Sequence, residues 1–167
     1  EIEERRNYII RKASNLSRQS HILATNLDQV VLIFTLHHPE TTTTFTDRFL
    51  ASAEAYRIPV VIFFNKTDLY TTEEKKEVEA LAALYRSLDY TCLIGSVRND
   101  KGLETLQSLL KDKTTLLAGH SGVGKSTLLN LLIPGLNVKT APLSDVHDSG
   151  MHTTTFSELY ELPQGGS

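Results

Sequence analysis

The chain has 167 residues, 40% of them hydrophobic, which is enough for one domain with a full core or for one domain and a fragment of another. A formal net charge of -3 excludes a broad basic surface, so an RNA partner would need a local patch or another domain. Cys92 is the only cysteine, which excludes an internal disulfide and a cysteine zinc site, and no apolar run approaches the roughly 20 residues of a membrane-spanning helix.

Apolar stretches alternate with helical patterns along the chain. This alternation predicts an α/β fold with a mostly parallel sheet and helices on both faces. The first two predicted strands are nearly continuous apolar runs, as expected for strands covered on both sides. The predicted strands are residues 30–36, 60–64, 91–95 and 114–118.

Helical spacing of apolar residues fills the gaps between the predicted strands. The first helix carries Phe45, Phe49, Ala53 and Tyr56 and is limited by Pro59. The second, residues 71–88, begins with a potential capping box of Thr71 and Glu74. Its predicted core-facing residues are Val78, Leu81, Ala82, Tyr85 and Leu88. Two shorter leucine-rich helices are predicted at residues 103–110 and 125–133.

The two ends of the chain differ in character from this pattern. Residues 1–25 are rich in Arg, Lys, Ser and Asn, and we interpret them as the remnant of a preceding domain plus a linker, with the main domain spanning 26–167. Residues 137–155 are polar and predict a loop, and residues 163–166 predict a turn between two strands.

Residues 119–126 read GHSGVGKS, a full match to the phosphate-binding pattern GxxxxGK[ST], and they lie between an apolar strand and a helix. Glycines let the backbone wrap around phosphates, to which the amides and the helix N-terminus supply positive potential. We expect Lys125 to reach the β- and γ-phosphates as a catalytic cation and Ser126 to give its hydroxyl to Mg²⁺. The predicted phosphate-site residues are Gly119, His120, Ser121, Gly122, Val123, Gly124, Lys125, Ser126 and Thr127.

A second motif, Asn65-Lys66-Thr67-Asp68, lies at the C-terminal end of a predicted strand, where open α/β sheets place ligands. The carboxylate of Asp68 is suited to accept hydrogen bonds from N1–H and the 2-amino group of guanine, a donor pair that adenine lacks. This favours GTP over ATP. We predict that Asn65 ties this loop to the phosphate loop and contacts the base, while the stem of Lys66 lies over the base plane.

Two further segments offer nucleotide contacts. Ser96 and Val97 end the next strand, where a short loop can present backbone amides to the guanine O6. In the polar loop, one threonine of His152-Thr153-Thr154-Thr155 can complete the Mg²⁺ shell and sense the γ-phosphate. Thr154 is the candidate for this metal-binding and catalytic role, with its two neighbours as alternatives.

The guanine motif precedes the phosphate loop, the reverse of the order in most GTPases. Circular permutation is tolerable because the sheet keeps its arrangement while the termini move to another exposed connection. The motifs occur in the order NKTD, the GSV turn, GHSGVGKSTLLN and GMHTTT. With its motifs in this order, the sequence resembles the RsgA (YjeQ/YloQ) family, the circularly permuted GTPases of bacterial ribosome assembly. The resemblance implies a P-loop NTPase fold that binds GTP or GDP with Mg²⁺. It also implies slow hydrolysis of GTP stimulated by the small (30S) ribosomal subunit, and a role in the late maturation of that subunit.

The resemblance also carries expectations about the parts that flank this sequence. It identifies residues 1–25 with the remnant of an N-terminal OB-fold domain plus a linker, the remnant extending at most to residue 18. It also implies a DxxG motif and a zinc-binding C-terminal domain beyond residue 167. We expect ribosomal RNA to be contacted mainly through those flanking domains, and the sequence as given, without DxxG, to turn over GTP poorly. A cytoplasmic monomer is the expected state.

Two other functions remain open from the residues. The chain could be a guanine-nucleotide-dependent binding module with negligible turnover. It could instead be an ATP-using P-loop kinase if Asp68 were only a structural turn residue.

Overall fold

The computed structural model describes residues 4–12, 20–99, 102–138 and 158–167. Two antiparallel strands come first, β1 (Tyr8–Lys12) and β2 (Ser20–Thr25), and within these described ranges they form a two-stranded sheet of their own. The sequence does not predict them because their apolar alternation is short. The assignment of residues 1–25 to a preceding domain stays a prediction.

The main sheet is parallel. In the described part of the chain it has four strands, in the order β5-β4-β3-β6. Their bounds are β3 (Gln29–Phe34), β4 (Val60–Phe64), β5 (Thr91–Ile94) and β6 (Thr115–Ala118). β3 and β4 are buried at every position, which agrees with the prediction from their continuous apolar sequence. These bounds differ from the predicted ones by at most two residues at either end.

A helix follows each strand of this sheet. Their bounds are α1 (Thr43–Ala55), α2 (Thr72–Ser87), α3 (Leu103–Leu110) and α4 (Lys125–Leu132). The predicted capping box at α2 is confirmed, because Thr71 accepts from the Glu74 amide and the Glu74 carboxylate accepts from the Thr71 amide. The prediction that Leu88 faces the core is wrong: Leu88 follows the last turn of α2 and is 58% exposed.

The sheet separates two apolar cores, because successive side chains of a strand point to opposite faces. Leu32 and Ile62 join the core that contains residues of α1 and α2. Ile33 and Phe63 join the opposite core, formed with α3 and α4. Helices therefore cover both faces of the sheet, as the sequence predicts, and each fully buried Leu, Ile or Phe contributes about 1.5–3 kcal/mol.

The last described residues lie beside β6. The main-chain oxygen of Ser167 accepts from Thr115 N–H at 2.6 Å, and Ser167 N–H donates to Lys113 at 2.9 Å. The predicted turn at residues 163–166 is present, although residues 158–167 contain no assigned strand. Among the described residues, no helix combines the length and the apolar character that crossing a membrane requires.

Candidate nucleotide-binding site

Four loops meet at the C-terminal edge of the main sheet, the edge at which open α/β sheets bind ligands. They follow β3, β4, β5 and β6, whose parallel pairing brings all four strand ends to one side. The loops after β4, β5 and β6 contain the predicted guanine motif, the Ser96-Val97 turn and the predicted phosphate loop. The sheet thus collects three segments that are far apart in the sequence.

The phosphate loop runs from the end of β6 to the start of α4 and depends on glycine at two points. At Gly119 (φ 140°) an added Cβ would lie 2.7 Å from the carbonyl oxygen of Ile33. At Gly124 (φ 110°) it would lie 2.6 Å from Nδ2 of Asn65. Both positions therefore exclude any side chain, and the backbone of the loop is pressed against its neighbours.

Asn65 joins the loops. Its side chain is completely buried: Nδ2 donates to the carbonyl oxygen of Val123 at 2.8 Å, and Oδ1 accepts from Val97 N–H at 3.0 Å. One amide group therefore holds the phosphate loop on one side and the Ser96-Val97 turn on the other. This tie between the two predicted motifs spans 58 residues of sequence.

Lys66 makes a second connection between the loops. It has left-handed backbone geometry (φ 64°), and its ammonium group donates to the carbonyl oxygen of Gly122 at 2.7 Å and to that of His38. Burial, and to a lesser extent the charge of Arg98, lowers the pKa of Lys66, while Asp68 opposes the shift. The long stem of Lys66 therefore crosses from the guanine motif to the phosphate loop.

The carboxylate of Asp68 is held from one side. Ser96, which is 1% exposed, donates its hydroxyl to Oδ1 of Asp68 and accepts from Arg98 N–H at 3.1 Å. Thr67 anchors the same loop through its hydroxyl, which donates to the carbonyl oxygen of Gly95 at 2.9 Å. Asp68 is thus oriented by the β5 loop and has acceptor capacity left for a ligand.

Lys125 and Ser126 begin α4, at the helix end where backbone N–H groups lack intrahelical partners. The ammonium group of Lys125 donates to the carbonyl oxygens of Gly119 (2.8 Å) and His120 (2.6 Å), so it curls over the loop. Burial lowers the pKa of Lys125. Burial and the nearby charge of Lys125 lower the pKa of His120 as well.

The segment between β3 and α1, residues 35–42, packs against the phosphate loop, a contact that the sequence does not predict. Pro39 faces Gly122, where an added Cβ would lie 3.4 Å from the proline ring. Phe45, in the first turn of α1, packs against His120 with ring centroids 4.1 Å apart and ring planes tilted by 37°. No motif marks this segment, and the only sequence signal is its place at the end of a parallel strand. Thr154, the predicted switch residue, lies outside the described residues.

A parallel sheet with a phosphate-binding loop after β6 and an NKxD loop after β4, in that reversed chain order, defines a circularly permuted P-loop domain. The RsgA GTPase family model matches residues 2–167, and the chain belongs to that family.

Relatives and solved structures agree with this assignment. The small ribosomal subunit biogenesis GTPase RsgA of Bacteroides fragilis strain YCH46 is 57% identical over 166 residues, which cover 99% of this chain and 54% of that protein. The protein of the same name from Porphyromonas gingivalis strain W83 is 55% identical over 162 residues, 97% of this chain and 51% of that protein. The chain spans about half the length of these curated relatives.

Two crystal structures share the fold. The structure of YjeQ from Thermotoga maritima superimposes with a TM-score of 0.76 at 34% identity, covering 99% of this chain and 51% of that one. The structure of YloQ, described as a circularly permuted GTPase, gives a TM-score of 0.63 at 36% identity over 80% of this chain and 44% of that one. The predicted fold class and family resemblance are confirmed.

Proposed function

We propose that this chain binds GTP and GDP at the C-terminal edge of its sheet and hydrolyses GTP as part of a factor that assists maturation of the small ribosomal subunit. The observation that carries the proposal is the buried amide of Asn65, which joins the phosphate loop to the loop that contains Asp68. A single ligand with phosphates at one end and a purine at the other fits this pairing. Membership of the RsgA GTPase family and the names of the relatives point the same way.

The base would be read by Asp68. Its carboxylate accepts the N1–H and 2-amino donors of guanine, and the hydroxyl of Ser96 holds it in place. The stem of Lys66 would cover one face of the base. The Ser96-Val97 turn would lie near O6, but the Val97 amide already donates to Oδ1 of Asn65 at 3.0 Å, so we do not assign that amide to the base. Asn65 is buried and engaged at both ends of its amide, so we assign it the role of holding these loops in register.

The phosphates would be bound by the backbone of residues 119–127, with Lys125 as the principal cation. The residues present fit a phosphate because Gly119, Gly122 and Gly124 give the loop three positive-φ positions, and α4 begins at Lys125, where backbone N–H groups lack intrahelical partners. Lys125 would exchange its carbonyl partners for phosphate oxygens, and the charge of a phosphate would raise its lowered pKa again.

The same helix start suits a magnesium ion. Mg²⁺ prefers hard oxygen ligands and keeps several waters and phosphate oxygens, so the hydroxyls of Ser126 and Thr154 would be its protein ligands. When bound, the ion neutralises charge that develops on the phosphate oxygens during hydrolysis. Lys125 and the loop amides would stabilise the same charge from the protein side.

The wider biology follows from the family. The partner would be the small ribosomal subunit and its RNA, contacted mainly through flanking domains, and zinc would belong to a C-terminal domain of the family. We propose a cytoplasmic monomer.

The test has three parts. Fluorescent GDP should bind the purified chain, unlabelled GTP should displace it, and ATP should fail to do so at the same concentration. Lys125→Ala should abolish binding, whereas Lys111→Ala, which removes an exposed lysine after α3, should not. Single-turnover hydrolysis of GTP by the intact protein, which includes the flanking domains, should accelerate when small ribosomal subunits are added. Equal competition by ATP would overturn the guanine assignment, and hydrolysis that does not respond to the subunits would favour a binding module.

A further inference from the structure

Tyr70 occupies an unusual place between two strand ends. β3 and β4 pair up to Phe34 and Phe64, where their register ends. Tyr70 follows the guanine motif, is 6% exposed and packs in the same apolar core as Leu36. Its hydroxyl accepts from Leu36 N–H at 2.8 Å and donates to the main-chain oxygen of Asn65 at 3.0 Å. One hydroxyl therefore bridges the ends of both strands.

The bridge completes the constraints on Asn65. The N–H of Asn65 donates to Phe34 at 2.9 Å, its carbonyl accepts from Tyr70, and both atoms of its side-chain amide hold neighbouring loops. Every polar group of Asn65 is thus engaged. Rotation of its peptide plane would move the amide that ties Val123 and Val97, and the hydroxyl of Tyr70 is the contact that resists this rotation.

The bridge has a second consequence, which concerns the segment that begins at Leu36. It opens the segment whose His38 carbonyl receives the ammonium group of Lys66. The first two residues of the guanine motif are therefore both linked to the segment between β3 and α1, residues 35–42. Asn65 is linked to it through Tyr70, and Lys66 contacts it directly. Loss of the hydroxyl would leave a buried N–H and a buried carbonyl without this partner.

We propose that Tyr70 is a positioning residue for guanine recognition, which acts by holding the Asn65 peptide and thereby the two loops that orient Asp68 toward the base. This inference rests on the proposed function. It predicts an effect on base selectivity and not only on stability, because Asp68 must meet two guanine donors at once.

The experiment compares two buried tyrosines. Tyr70→Phe removes the bridging hydroxyl, and Tyr85→Phe removes the hydroxyl of a tyrosine that is 2% exposed in the same core and donates to Asp47 at 2.9 Å. Affinities for GDP and for inosine diphosphate, which lacks the 2-amino group, are measured for both variants and the unaltered chain. We expect Tyr70→Phe to weaken GDP binding about 3- to 10-fold and to lower the preference for GDP over inosine diphosphate. Tyr85→Phe should change neither.

The outcomes separate the two proposals. If the unaltered chain fails to bind GDP, the proposed function fails. If that chain binds GDP and Tyr70→Phe binds it with unchanged affinity and selectivity, or if both variants weaken equally, the role of Tyr70 is overturned.

A measurement on the unaltered chain covers the case in which Tyr70→Phe does not fold. GDP should slow hydrogen exchange at the amides of Val97 and Leu36 together, because Asn65 and Tyr70 connect them. Slowing at Val97 with no change at Leu36 would contradict the bridge.

Discussion

The side-chain amide of Asn65 donates to the carbonyl oxygen of Val123 at 2.8 Å and so fastens the phosphate loop to the guanine motif. Replacement by alanine would leave that carbonyl and the N–H of Val97 without their partner in a buried setting. We expect Asn65→Ala to lower the free energy of unfolding by roughly 2–4 kcal/mol. Urea unfolding of the nucleotide-free chain measures this cost. A change below about 0.5 kcal/mol, the usual range of surface substitutions, would contradict the assigned role.

Gly124 tests the close approach of the loop to Asn65. Gly124→Ala adds a Cβ that would lie 2.6 Å from Nδ2 of Asn65, in addition to the strain of a positive φ. The matched control is Gly135→Ala, since Gly135 also has a positive φ (84°) but no atom within 4 Å of the added Cβ. We expect the control to cost about 1 kcal/mol, and Gly124→Ala to cost more and to abolish GDP binding. Equal losses in thermal unfolding and binding would show that the contact with Asn65 is unimportant.

Asp68→Asn should change the base that is preferred. Asparagine keeps an acceptor for N1–H but offers an NH₂ where guanine also has a donor, so GDP affinity should fall about 10- to 100-fold. Xanthine carries a carbonyl at that position, so affinity for xanthosine diphosphate should rise. Isothermal titration calorimetry with GDP and with xanthosine diphosphate measures this change in base preference. Asp89→Asn, at an exposed residue after α2, serves as the control, and a fall in affinity for both nucleotides would argue against direct base recognition.

The pH dependence of stability should reveal His120. Burial and the charge of Lys125 lower its pKa in the folded chain, so the unfolded chain binds more protons in the window below the ordinary value of 6.5. Stability should therefore fall as the pH drops from about 7 to 5, and His120→Gln should lessen that fall. Urea titrations at several pH values provide the comparison. Parallel profiles for the two proteins would mean that His120 titrates alike in both states.

The fold and the main motifs could be predicted from the sequence for physical reasons. Strands buried on both sides, such as β4, read as continuous apolar runs, and glycine-rich loops keep their pattern because their backbone tolerates no side chain. Contacts made only through tertiary packing leave no such trace. The packing of Phe45 against His120 joins α1 to the phosphate loop, and the hydroxyl of Tyr70 joins the ends of β3 and β4. Leu88 kept helical spacing, yet α2 ends before it and the side chain is exposed.

The reversed order of the two motifs also bears on how the site comes into being. During synthesis the strands β3, β4 and β5, with the base-reading loop, leave the ribosome before β6 and its glycine-rich loop are made. The side-chain amide of Asn65 therefore has no carbonyl partner until Val123, 58 residues later in the chain, has been synthesised. A nascent chain of this kind would display a surface for the purine first and would retain a nucleotide only once β6 has docked against β3.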